Sequence, residues 1–294
     1  MTKTSRLAGI VVAGSLSGAF GLIAAAPAHA TVLFSDGFES GNLSHAENGV
    51  SWNSPEKVTV GTANAKAGKY SAKFHFPGST DLSADSWAEL RFALPSMRKE
   101  IWIKYDLFIP SNYYHRNASG ASNNKGLIML WGGDYKAMTT QSAVSFWPSM
   151  GSAKGASMMC ADVKTNGGES THYCQQSNLL DKGVTSATET IAFGPTDAGK
   201  WRNFVIHYKL ADVGVNNGVL EVWKDGNKLW SSSNVPNYAS STSGNGFNNG
   251  YILGWSNSGF NQDTDFYLDN VVFATSQSDL DMVQPDSPSG LVVN

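Results

Sequence analysis

The chain has 294 residues, with 21 Lys plus Arg against 24 Asp plus Glu and a formal net charge of −3. That length supports a self-sufficient core, and that charge balance excludes a phosphate-binding surface, so no nucleic-acid partner is expected. Only 15% of residues are charged, whereas aromatics reach 11% and glycines number 30. Such a composition fits short strands and Gly-rich turns and excludes disorder, collagen and coiled coils.

The first 30 residues read as a signal peptide. Lys3 and Arg6 form a positive start, residues 8–25 are apolar and small, and Ala28-His29-Ala30 fits the small-x-small cleavage rule. Cleavage after Ala30 implies bacterial export to the periplasm or medium. No later stretch approaches the roughly 18 apolar residues of a membrane span, so none is expected after cleavage.

From there on, apolar residues recur with a period of two. In 71–76, Ala72, Phe74 and Phe76 share one face, opposite Lys73 and His75. In 87–94, Ala88, Leu90, Phe92 and Leu94 alternate with Trp87, Glu89 and Arg91. In 101–109, Ile101, Ile103, Tyr105, Leu107 and Ile109 alternate with Trp102, Lys104, Asp106 and Phe108. Further strands are predicted at 127–131, 143–147, 204–210, 219–224, 251–255 and 266–273. Asp225-Gly226 marks a hairpin between 219–223 and 228–230. No window shows a helical period or a βαβ rhythm, so the fold is an all-β antiparallel sandwich or jelly roll. It forms a single domain over 31–275, and the Pro-, Ser- and Asp-containing tail 276–294 is expected to be mobile.

Cys160 and Cys174 are the only cysteines, and export makes a disulfide between them plausible. The polar stretch between them is expected to be a long surface loop stiffened by that bond.

Two sets of residues carry a family resemblance. Phe34-Ser35-Asp36-Gly37-Phe38-Glu39 and Phe266-Tyr267-Leu268-Asp269-Asn270-Val271-Val272-Phe273 resemble the first and last strands of concanavalin A-like jelly rolls that handle polysaccharides. Lys200 to Lys209 followed by Gly218 to Gly226 resembles a strand pair of polysaccharide lyases of the heparin-lyase and alginate-lyase type. Ala88-Glu89-Leu90-Arg91 resembles their x-E-L-R strand. The resemblance implies a two-sheet, concanavalin A-like β-jelly roll and β-elimination on an acidic polysaccharide, with no organic cofactor. It also implies one structural calcium ion joining the first strand to the last, with Glu39, Asp269 and Asp36 as ligands. The family's Gln-x-His strand is absent; Gly126 to Trp131 stands in its place. The paired carboxyls of a retaining glycosidase are also missing, and Asp263-Thr264-Asp265 is no equivalent.

The residues opposite the expected core are basic and aromatic: Lys73, His75, Trp87, Trp102, Lys104 and Lys209, joined by Trp131 as a further sugar platform. Indoles stack on the apolar faces of sugars, and Lys and Arg pair with uronate carboxylates. A lyase needs a group that neutralises the uronate carboxylate, a base for the C5 proton and an acid for the leaving oxygen. By resemblance, Arg91 is the neutraliser, held by Glu89. His207 is the candidate base, because imidazole titrates near neutrality and its strand phase is outward. Tyr113, Tyr114 and His115 are candidate acids or subsite residues. The expected partner is a polysaccharide, the expected state is a monomer, and the alternative function is non-catalytic carbohydrate binding or adhesion on the same scaffold.

Overall fold

The computed structural model describes residue 1 and residues 31–113, 127–133, 143–150, 157–164, 170–174, 192–194, 196–237, 246–256 and 259–281. The expected cleavage site, Tyr114 and His115 lie outside the described residues.

Strand formation follows the alternation read from the sequence. The first sheet contains β1 (Val32–Asp36), β4 (Val58–Gly61), β5 (Ser71–Phe76), β7 (Glu100–Ile109), β12 (Lys200–Lys209), β13 (Gly218–Lys224), β14 (Asn227–Val235) and β16 (Thr264–Ala274). The second contains β2 (Ala46–Glu47), β3 (Val50–Glu56), β6 (Ser86–Arg98), β8 (Ile128–Trp131), β9 (Ala143–Met150), β10 (Ser157–Lys164), β11 (Ser170–Cys174) and β15 (Phe247–Ser256). Their orders are β14-β13-β12-β7-β16-β5-β4, with β1 also pairing β16, and β11-β10-β9-β8-β15-β6-β3-β2. The strand pairs within these sheets are antiparallel, and the architecture is the expected two-sheet jelly roll. The first and last strands pair as expected.

The inner faces of the two sheets make one apolar core. Leu90 and Phe92 of β6 meet Ile103 and Tyr105 of β7, Phe204 and Ile206 of β12, and Phe273 of β16 in a single buried cluster. Trp52 of β3 joins both layers: its ring centroid lies 5.0 Å from Phe34, 6.3 Å from Phe92 and 6.1 Å from Phe273. Its indole N–H donates to Asp36 Oδ2 at 2.6 Å.

One sequence expectation is corrected here. The segment between the cysteines is not simply a loop; β10 and β11 form an antiparallel hairpin in which Cys160 stands directly opposite Cys174. Of the tail expected to be mobile, residues 276–281 are described. Gln277–Asp281 forms a short 3-10 helix, with Asp279 and Leu280 buried. Leu280 packs on Val272 and Ala274 of β16, burying apolar surface that anchors the turn.

The carboxylates expected to hold calcium act instead as acceptors for N–H groups. Asp36 accepts from Phe38 N at 2.7 Å as well as from Trp52. Glu39 Oε1 accepts from Lys69 N and Tyr70 N at 2.9 and 3.0 Å. Asp269 accepts from Lys66 N, Ala67 N and Asn270 N at 2.8, 3.1 and 2.8 Å. Burial pushes the Asp269 carboxyl up to about 6 despite those three donors. Calcium requires six to eight converging oxygen ligands, and among the described residues no three acidic, His or Cys side chains converge in that way. The set does not fit the ion. Chelation by EDTA should therefore leave the thermal midpoint unchanged, as read by circular dichroism; a fall that added calcium reverses would refute this account of the seam.

Candidate active site

On β6 the inward set Ala88, Leu90, Phe92 and Leu94 leaves Trp87, Glu89 and Arg91 on the outer face of the second sheet. Arg91 Nε donates to Glu89 Oε1 at 2.7 Å, and a second guanidinium nitrogen lies 2.6 Å from the same oxygen. The Glu89 side chain is 11% exposed and that of Arg91 32%, so the carboxylate fixes a cation that still reaches solvent. Register carries this row across the sheet. Asn53 of β3 and Tyr251 of β15 flank Arg91, Met129 of β8 follows Tyr251, and Ser145 of β9 follows Met129. The line continues to Asp162 and His172 in β10 and β11.

Met129, Trp131 and Tyr251 form a small buried cluster separate from the core, because their neighbours Ile128, Leu130 and Ile252 take the inward positions. Trp131 packs on Tyr251 with ring centroids 5.8 Å apart, so it supports the row and is not the open platform expected from sequence. Ser145 Oγ is buried and has no hydrogen-bond partner among the described residues.

Four residues along β6 and β15 stands an indole pair. Trp87 lies opposite Trp255, with rings stacked at 5.0 Å and 9°. Lys57 Nζ sits 3.3 Å from the Trp87 centroid, on the cation-attracting face of the ring. Trp255 Nε1 donates to Asp85 Oδ2 at 3.0 Å, which fixes the outer indole while leaving it exposed. Between Tyr251 and Trp255 the backbone enters the positive-φ region at Leu253 (φ 60) and Gly254 (φ 115), and Leu253 turns into the core. A Cβ at Gly254 would stand 2.4 Å from Tyr251 Cε2, so only glycine lets that ring lie over the strand.

The rest of the expected basic face is not on this sheet. Lys73, His75, Trp102, Lys104, His207 and Lys209 belong to β5, β7 and β12 of the first sheet. Their outward positions therefore point away from Arg91, across the thickness of the sandwich. Lys73 and His75 both bind Asp265, at 2.8 and 2.7 Å. Lys104 Nζ donates to Leu280 O at 2.7 Å and lies 3.5 Å from Asp281, lining a cavity of about 400 Å³ with Asn203 and Trp223. His207 lies flat on Trp102, with centroids 3.9 Å apart, between Glu221 on Nδ1 at 2.7 Å and Glu100 on Nε2 at 2.8 Å. Both ring nitrogens are thus taken up by carboxylates, so neither faces an open site where a sugar could bind. The base expected from strand phase is thus held in a structural role between two carboxylates, on the other sheet from Arg91. Tyr113 packs edge-on against Phe193 and Phe266 at 5.4 and 5.7 Å, at the rim of the core.

Tyr251, Ser145 and Trp255 were not singled out by sequence reasoning. Tyr251 and Trp255 bound a predicted strand, but no local motif marks them. Only the pairing of β15 with β6 sets them beside Arg91 and Trp87.

Comparison with known proteins places this geometry in context. No curated protein matches by sequence. An endo-β-1,4-glucuronan lyase from the fungus Trichoderma reesei is similar in structure, with a TM-score of 0.58 and 13% identity over 85% of this chain and 98% of that one. An alginate lyase from a Chlorella virus is similar at a TM-score of 0.53 and 11% identity, covering 77% of this chain and 93% of that one. At such identities the likeness is one of fold. The model of the polysaccharide lyase family matches residues 38–272, a span that includes Arg91, Tyr251 and both platform indoles, and the chain belongs to that family.

Proposed function

We propose that this protein is an exported lyase that cleaves a uronate-containing polysaccharide by β-elimination on the outer face of the second sheet. The observation that carries the reading is the Glu89-clamped Arg91 guanidinium facing solvent beside Tyr251 in a chain of the polysaccharide lyase family. The similar structures are lyases of glucuronan and of alginate, which supports a uronate polymer as substrate. The first 30 residues support export, and export together with the Cys160–Cys174 register supports a disulfide at the base of the β10–β11 hairpin.

Elimination removes the proton at C5, breaks the bond from C4 to the bridging oxygen, and leaves a C4–C5 double bond while that oxygen gains a proton. Charge builds on the uronate carboxylate as the C5 proton leaves. Arg91 is the group that neutralises it, and Glu89 holds the guanidinium so that little reorganisation is needed at that moment. Tyr251, directly across from Arg91 in the strand register, is the group assigned to proton transfer, since a phenol can give or take a proton. The Trp87–Trp255 stack offers an apolar platform for a neighbouring sugar. The platform lies four residues from Arg91, about 13 Å along the strand.

Replacing Arg91 by Ala should lower kcat/KM on glucuronan or alginate by roughly a hundredfold or more. The readout is the ultraviolet absorbance of the unsaturated product, and wild-type turnover in the variant would overturn the assignment. Absorbance-silent wild-type protein that is retained in polysaccharide affinity gels would instead establish the binding-protein reading. Trp255→Ala should raise KM for long chains roughly tenfold with kcat little changed, and Trp255→Phe should restore much of it.

Glu221 tests the structural role of His207. Burial pushes its carboxyl up, but hydrogen bonds and charges from Lys228 and His207 outweigh burial and hold it below the usual glutamate range. A folded value below the unfolded one adds stability that is complete above the unfolded value and lost as pH falls through the folded value. The urea-midpoint gap between wild type and Glu221→Gln should therefore be widest near neutral pH and close in acid below about pH 4. Lyase activity at neutral pH should be unaffected.

A further inference from the structure

The seam between the first strand and the end of the last contains a buried charge without a counter-charge among the described residues. Asp279, in the 3-10 helix after β16, is fully buried. Its Oδ2 accepts from Ser276 N at 3.1 Å, Thr275 Oγ1 at 3.2 Å and Thr31 N at 3.0 Å. Its Oδ1 is buried and has no hydrogen-bond partner among the described residues. Burial pushes the carboxyl up, but hydrogen bonds from Ser276, Thr31 and Thr275 outweigh it and hold the group below the ordinary aspartate range, hence ionised at neutral pH. The nearby cation, Lys104, is spent on Leu280 O and Asp281. A buried carboxylate with one orphaned oxygen and no cation is costly.

The donor on its other oxygen is the backbone nitrogen of Thr31, the residue that follows Ala28-His29-Ala30. We propose that Asp279 is a receptor for the α-ammonium created at Thr31 when the signal peptide is removed. This inference rests on the export reading above. A processing peptidase hydrolyses the Ala30–Thr31 bond with one water. The water oxygen joins the Ala30 carbonyl as a carboxylate, and the Thr31 nitrogen gains protons to become an ammonium. A peptide nitrogen offers one N–H and no charge, whereas an ammonium at the same place offers three N–H donors and a full positive charge. It can therefore serve both Asp279 oxygens. Thr31 O already accepts from Thr275 N at 3.1 Å, and Val32 pairs with Ala274, so the new terminus would be aligned before the cut. Cleavage would thus complete the β1–β16 seam and lock down the 3-10 helix, making the processed chain more stable than its precursor.

The test compares residues 31–294 beginning at Thr31, released by a site-specific protease, with the same chain carrying a short uncleaved extension. Each is made as wild type and as Asp279→Asn, and a third wild-type sample has the Thr31 amine acetylated. The processed wild type should show a folded-to-unfolded ratio roughly tenfold above the extended and acetylated forms, as expected for a charge-assisted hydrogen bond. In Asp279→Asn that advantage should vanish. Equal stability of processed and acetylated wild type, or an equal cost of Asp279→Asn in processed and extended chains, would overturn the receptor. N-terminal sequencing of the exported protein tests the cleavage reading separately, because the released 31–294 chain reports on Asp279 whichever residue the cell exposes.

Discussion

The burial of two inner sheet faces against each other governs both surfaces of this protein. Packed sheets stand about 10 Å apart, so a side chain that misses the core on one sheet is carried to the opposite side of the molecule from its counterpart on the other. β6 and β7 show the consequence. One residue, Lys99, separates them in sequence, and both place apolar residues inward with the same alternation. Yet they lie in different sheets, so Trp87 and Arg91 face one way while Trp102 and Lys104 face the other. Strand phase says that a residue points out; only sheet membership says which outside.

That distinction sets the limit of what could be read from sequence. The alternating segments 71–76, 87–94 and 101–109 became strands because period-two apolar patterning has few other solutions. Asp225-Gly226 became the β13–β14 turn, with both residues at positive φ (51° and 79°) as a tight hairpin requires. The Cys160–Cys174 hairpin was hidden because its polar, Gly-containing sequence reads as loop. The outward basic and aromatic residues divide between two faces, because nothing local reveals that β5, β7 and β12 share a sheet apart from β6. Tyr251 was invisible for the same reason: its significance comes from a partner 160 positions away, Arg91, reached only through register.

Charge on the first sheet was also misread, since carboxylates arrive from strands that sequence spacing does not pair. Asp265 of β16 takes both Lys73 and His75 of β5, and Glu221 of β13 joins Glu100 of β7 around His207 of β12. A surface basic in composition is therefore close to neutral in space, with little field left to draw in an anionic polymer. Arg91 differs in burial and geometry. One oxygen of Glu89 takes two of its nitrogens, and the pair sits on the face that also carries two stacked indoles. This face therefore carries a fixed cation and an exposed indole on the same pair of strands.

The position of that guanidinium is itself a product of the core. Its neighbour on β6, Phe92, points inward onto Phe273 of β16 at 4.6 Å and onto Trp52 of β3 at 6.3 Å. Trp52 is held by Asp36 of β1, and β1 is held by β16. The two ends of the described chain thus meet beneath β6 and fix the strand from below, while Glu89 fixes the side chain from beside it. At this seam Asp36 accepts from Phe38 N and the Trp52 indole, and Asp269 from three backbone N–H groups, so packing and register are reinforced by hydrogen bonds to buried carboxylates. An electrostatic catalyst must be rigid before its substrate arrives. In this fold Leu90 and Phe92, on either side of Arg91, seat β6 on the core, and Glu89 fixes the guanidinium above it.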